Sequence, residues 1–135
     1  MIVALDHGDR FIGMAAGKPP DIPVHRLGVI DQAREDAMAR IQELVAQEQV
    51  TKVLVGVPVG LGGDETEQTH KALAFMEKLR DNLGLEVDVE GIDETLTSAE
   101  AGRIVSAEGG RPEDEHAEAA RLMLADYFIR NSLVE

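Results

Sequence analysis

The sequence predicts one α/β domain, a five-stranded mixed sheet flanked by helices, and three observations carry that expectation. Its 135 residues suit a single core of ordinary size. Short apolar runs bounded by turn residues open the chain, and further on helical spacing alternates with compact strand-like runs. The balance of 44% hydrophobic and 29% charged residues is globular, with no repeat, linker or low-complexity tract.

The elements follow in order. Ile2-Val3-Ala4-Leu5 and Phe11-Ile12-Gly13-Met14-Ala15-Ala16 are bounded by His7-Gly8-Asp9 and Gly17-Lys18-Pro19-Pro20, so they read as a hairpin. A third strand runs from Ile22 to Leu27. A helix from about Asp31 to Gln47 follows, with Ala33, Ala37, Ile41, Leu44 and Val45 on one face. Lys52 to Val57 is an apolar run suited to a strand buried on both faces, ended by Pro58 and the glycines after it. From Thr66 to Asn82, Ala72, Leu73, Met76, Leu79 and Leu83 mark another helical face, closed by Gly84. Leu85 to Val89 reads as the fifth strand. Thr97 and Glu100 have capping-box spacing for a short helix stopped by Gly109-Gly110. Pro112 suits the first turn of a last helix, with Ala120, Met123, Leu124, Tyr127 and Phe128 on one side. Helices on a sheet of this order give a layered architecture.

Composition excludes several functions. There is no cysteine, hence no disulfide, thiol nucleophile or cysteine-based metal site. The run Ile2 to Leu5 is too short for a signal peptide, and no stretch approaches the roughly 20 apolar residues of a membrane span, so a soluble cytoplasmic protein with no membrane partner is expected. With 3% aromatic residues and no Trp, a base-stacking platform has few rings to build from. The net charge of −13 repels a phosphate polyanion at long range and, alone, counts against nucleic acid.

Two acids nevertheless stand where chemistry is done. Asp6 ends the first strand, and Glu94 lies just past the fifth, in Ile92-Asp93-Glu94-Thr95-Leu96-Thr97. Alone, each reads as a turn or loop acid. In a sheet of this order the ends of the first and later strands can meet in one crevice. Two strand-end acids can then share a hard divalent cation, and two such ions about 4 Å apart clamp the attacking and leaving oxygens of a phosphodiester.

Four segments carry a family resemblance. Asp6-His7-Gly8-Asp9-Arg10-Phe11-Ile12-Gly13 resembles the opening D-x-G-x-K-R-I-G of the YqgF/RuvX family, Holliday junction resolvase-like proteins of RNase H-like fold. Val55-Gly56-Val57-Pro58-Val59-Gly60 resembles its G-L-P-L loop, and Asp93-Glu94-Thr95-Leu96-Thr97 its D-E-R-L-T. Ala119-Ala120 with Leu122 and Leu124 resembles the D-x-x-A-A-x-x-L-L of its final helix. The segments keep the family's order over nearly the whole chain.

The resemblance implies a metal-dependent nuclease acting on branched DNA or precursor ribosomal RNA, with Mg²⁺ or Mn²⁺ as cofactor. It gives Asp6 and Glu94 the positions of the first and second metal-binding acids. At the third, where the family has Asp, this chain has His116. One turn before Ala120, His116 points towards the sheet and can face the crevice. A neutral imidazole suits Mn²⁺ better than Mg²⁺; it can also place a water or act as general acid or base, or simply pack. Glu113, one turn earlier on the same side, is the other source of the missing carboxylate. Glu118 faces elsewhere, and His7, beside Asp6, is a lesser metal candidate.

Other departures bear on the substrate. Phe11 and Thr95 stand where the family has arginines. Arg10, Lys18 and Arg111, with Arg26 and Arg103, lie in or next to loops and are the candidates for a small basic rim that contacts nucleic acid. The −13 charge then implies weak, salt-sensitive binding confined to that rim. A resolvase cutting two strands symmetrically favours a two-fold homodimer. The rival reading is a catalytically degenerate module that binds nucleic acid or serves ribosome assembly.

Overall fold

The computed structural model describes residues 1–58, 65–93 and 97–131, with backbone alone for 97–99. Strand β1 (Ile2–His7) runs antiparallel to β2 (Phe11–Lys18), which pairs antiparallel with β3 (Ile22–Asp31). On its other side β1 lies parallel to β4 (Lys52–Val57), and β4 to β5 (Asp88–Asp93). The order β3-β2-β1-β4-β5 is the five-stranded mixed sheet the sequence predicts.

Strand alternation decides which residues meet which helices. Val3, Leu5, Ile12, Met14, Ile30, Val53 and Val55 share one core with Ile41 of α1 (Ala37–Glu48) and with Phe75, Met76 and Leu79 of α2 (Glu67–Leu83). Ala4, Ala15 and Leu54 face the other way, onto Ala120, Met123, Leu124 and Phe128 of α4 (Asp114–Arg130). Helix α3 (Thr97–Glu108) packs on α4. Each large apolar side chain buried in these layers contributes about 1.5–3 kcal/mol. Among the described residues no helix is long and apolar enough to cross a membrane.

Several ends fall where the sequence places them. Thr66 caps α2 in a reciprocal box with Thr69, Gly84 closes that helix at φ +82°, and Gly109, at φ +74°, follows α3. Three boundaries differ. β3 continues to Asp31, because Gly28 at φ +127° absorbs a register irregularity opposite Met14 and Ala15 and lets Ile30 return to the core. Helix α1 therefore begins after Asp36, whose carboxylate accepts from the Ala39 N–H. The fifth strand is Asp88–Asp93 rather than Leu85–Val89, since parallel pairing with Lys52–Val57 fixes its register, and Leu85 is fully exposed.

Candidate active site

Asp6 shares the parity of Ala4, so its side chain faces α4 at the carboxyl end of β1, only 5% exposed. There Asp6 Oδ2 lies 2.8 Å from Nδ1 of His116, in the first turn of α4. A carboxylate only accepts, so Nδ1 carries the proton. Two glycines make the contact possible. Gly13 is the cross-strand partner of Asp6, and a Cβ there would stand 2.0 Å from the His116 carbonyl carbon and 2.2 Å from the Ala117 nitrogen. Without a side chain at Gly13, α4 settles onto the sheet. Gly8, whose N–H donates to the Phe11 carbonyl at 2.9 Å, leaves room for the imidazole: a Cβ there would come within 2.7 Å of His116 Cε1. The hydrogen bond to Asp6 raises the His116 pKa above its ordinary value, and burial only partly opposes it.

His7 has the opposite parity and turns to the other face. Its ring stacks on Phe75 of α2, centroids 4.4 Å apart and planes at 23°. Its Nδ1 is buried without a partner among the described residues, and burial lowers its pKa despite Asp6 and Asp9. His7 is thus separated from the Asp6–His116 pair by the sheet.

Glu94 lies outside the described residues. The residue before it, Asp93, ends β5 in register with Val57, and Leu5 pairs with Val55, so the three parallel strands finish at one edge of the sheet. Two strand spacings, about 10 Å, separate β1 from β5 there. Glu113 stands at the start of α4, where Arg111 Nε is 3.4 Å from its carboxylate. Among the described residues no three metal-ligating side chains cluster, and Asp6 with His116 is the pair the fold brings together. One carboxylate oxygen and one imidazole nitrogen at 2.8 Å are donors that suit a divalent ion, Mn²⁺ more than Mg²⁺ because of the nitrogen. The Nδ1 proton lies between the two groups that would hold such an ion.

Of the predicted basic rim, Arg10 and Arg111 line one cleft together with Glu113. Lys18 stands five residues along β2 from Gly13, about 17 Å away. Arg26 lies inside β3, where its Nε meets Glu118 at 2.8 Å and its Nη1 meets Glu108 at 3.0 Å. Glu118, as its helical position implies, does not face Asp6. It is completely buried and also holds Arg121 through bonds of 2.5 and 2.7 Å.

Comparison with known proteins places the chain in a family. Residues 1–130 match the family model described as RuvX, Holliday junction resolvase. The chain belongs to the RuvX family. A relative from Dictyoglomus thermophilum, named "Putative pre-16S rRNA nuclease", is 30% identical over 138 residues, covering 98% of this chain and 97% of its own. A relative of the same name from Desulforudis audaxviator is 37% identical over 112 residues, covering 82% and 78%. Among solved structures, T. thermophilus RuvC in complex with Holliday junction substrate superposes with a TM-score of 0.56 at 16% identity, over 96% of this chain and 95% of that one. That likeness establishes the RNase H-like fold for this RuvX member.

Proposed function

We propose that this RuvX-family chain is a divalent-metal-dependent nuclease that hydrolyses phosphodiester bonds in structured nucleic acid. Asp6, His116 and Glu94 are its ligands, and Glu113 is the alternative to His116 as the third donor. The observation that carries the reading is the buried Asp6 carboxylate held 2.8 Å from an imidazole at a strand end cleared by two glycines. A Mg²⁺ or Mn²⁺ ion held there would polarise the scissile phosphate and lower the pKa of an attacking water.

The chain's own residues do the rest. Pairing with Gly13 fixes the backbone of Asp6 at the strand end, and only the hydrogen bond to His116 has to open for the carboxylate to receive a cation. His116 must release its Nδ1 proton before that nitrogen can ligate. In the protonated form it instead stands ready to donate to a departing oxygen. Gly8 keeps the space beside the imidazole open. The names carried by the family and its relatives support precursor 16S rRNA and branched DNA as the substrates to test.

The test is cleavage of an end-labelled precursor-rRNA fragment and a four-way DNA junction under Mn²⁺ titration. The wild-type protein is expected to cut at least one of them in a saturable, metal-dependent way, and Asp6→Asn to lose that activity while keeping its fold. Unchanged metal-dependent cutting by Asp6→Asn would overturn the assignment. The binding-only reading has one observation in its favour: an imidazole, not a third carboxylate, stands beside Asp6 in the first turn of α4. Metal-independent binding with no cutting by the wild-type protein would select it.

A further inference from the structure

We propose that the cleft between the β3–α1 turn and the start of α4 receives the phosphodiester backbone beside the cut site, with Arg34 and Arg111 as its phosphate contacts. The proposal rests on the nuclease reading and extends it to how the substrate is held. The cleft has a volume of about 350 Å³, and Arg10, Arg34 and Arg111 line it together with Asp31 and Glu113. A surplus of cations at one place is notable in a chain of net charge −13.

The three arginines are not equally committed. Arg10 forks onto Asp31 through bonds of 3.0 and 2.9 Å, and Asp31 also accepts the Ala33 N–H at 3.0 Å. Arg34 reaches the same carboxylate only at 3.5 Å, and its side chain is 80% exposed. Arg111 lies 3.4 Å from Glu113 and 3.8 Å from Asp114, its side chain 77% exposed. Arg34 and Arg111 are therefore loosely held and present most of their donors to solvent, where a planar guanidinium matches a phosphate in bidentate geometry. Elsewhere on the sheet and its helices, Arg26 and Arg121 are spent on buried Glu118, and Lys52 on Asp88 and Glu90.

The cleft is also tied to the Asp6 turn. Gln32 Nε2 donates to the Gly8 carbonyl at 3.1 Å, and the Gln32 N–H donates to the Arg10 carbonyl at 2.8 Å. Gly8 in turn borders His116. The turn that carries Arg34 is thus anchored to the one that follows Asp6, and a strand seated on Arg34 and Arg111 runs on towards the Asp6–His116 pair.

Fluorescence anisotropy with a labelled four-way DNA junction and a labelled RNA hairpin, at fixed divalent cation and KCl from about 25 to 200 mM, tests this. Each lost phosphate contact removes about 0.7–0.9 from the slope of log affinity against log salt. Arg34→Ala and Arg111→Ala are each expected to weaken binding several-fold at low salt and to flatten the slope by that amount. Arg130→Ala, at the far end of α4 where Arg130 pairs with Asp126, serves as the control. An Arg34→Ala protein that matches Arg130→Ala in affinity and slope overturns the proposal, even where the wild type cuts in a metal-dependent way. Displacement of both probes by low-millimolar inorganic phosphate assigns the cleft to free phosphate and overturns it too. Failure of the wild type to bind either probe removes the nuclease reading as well.

Discussion

Gly13→Ala gives the sharpest link between local geometry and the site. The added Cβ would sit 2.0 Å from the His116 carbonyl carbon, 2.1 Å from its oxygen and 2.2 Å from the Ala117 nitrogen. These are backbone atoms of α4, which no rotamer change can clear. A tolerable carbon contact needs more than 3 Å, so the helix has to retreat by at least about 1 Å. Overpacking of this kind costs 1–3 kcal/mol and occasionally more, and retreat would also part Ala120 and Leu124 from Ala4 and Ala15. We expect a loss near 3 kcal/mol. With an unfolding entropy of about 2.1 cal/mol/K per residue over 135 residues, that corresponds to a fall of about 10 °C in Tm. Urea unfolding followed by circular dichroism measures the loss, and Mn²⁺ titration measures the parting of His116 from Asp6 as weakened affinity. Gly102→Ala is the control: it lies inside α3, and its nearest neighbour would be Glu115 at 3.5 Å. There alanine should be neutral or gain up to about 1 kcal/mol. A Gly13→Ala protein within 1 kcal/mol of wild type, with unchanged Mn²⁺ affinity, would refute the reasoning.

Two further outcomes follow from the charges. Glu118→Gln removes the counter-charge of Arg26 and Arg121, and breaking such a buried pair costs about 3–5 kcal/mol. Because those guanidiniums are 32% and 33% exposed and can rehydrate, we expect about 2–4 kcal/mol by urea unfolding; less than 1 would contradict the role given to Glu118. Burial pushes the Glu118 carboxyl up, but the hydrogen bonds from Arg121 and Arg26 outweigh it and leave the pKa below 4.5. Its stabilising contribution is therefore complete above pH 4.5 and fades as pH falls through the lower folded value, so the gap between wild type and Glu118→Gln should narrow in acid. For His116, whose folded pKa lies above 6.5, the sign is reversed. In metal-free protein its contribution is complete below pH 6.5 and lost as pH rises through the folded value. Urea midpoints of wild type and His116→Asn should accordingly converge as pH rises from about 6 to 9, and divergence would sink the assignment of a raised pKa to the Asp6 contact.

How far the sequence reveals this protein depends on whether a feature is local. The hairpin, the buried fourth strand and the α2 cap are legible because apolar runs, glycines and a threonine cap act within a few residues. Asp6 is legible for the same reason, as an acid at the end of an apolar strand, and helical spacing alone turns His116 towards the sheet. The parity that sends His7 to the opposite face is also written in the strand, one residue from Asp6. The ends of β3 and β5 are hidden, since a register irregularity at Gly28 and parallel pairing with β4 decide them. Arg34 is concealed by the same boundary: a helix begun at Asp31 makes it a residue of that helix, whereas the Asp36 cap leaves it in the turn beside the cleft. The burial of Glu118 depends on Arg26, 92 residues away, and no local pattern announces it. The net charge of −13 is a global quantity and does not reveal that three arginines line one cleft.

That Asp6 and His116 are two ligands of one divalent cation is our proposal, and anomalous diffraction from crystals soaked in Mn²⁺ tests it most directly. We expect a manganese peak within coordination distance of an Asp6 oxygen and a His116 nitrogen, with the present 2.8 Å hydrogen bond opened to admit it. Manganese bound elsewhere at saturating concentration, with that hydrogen bond intact, would show that the pair is not a metal site.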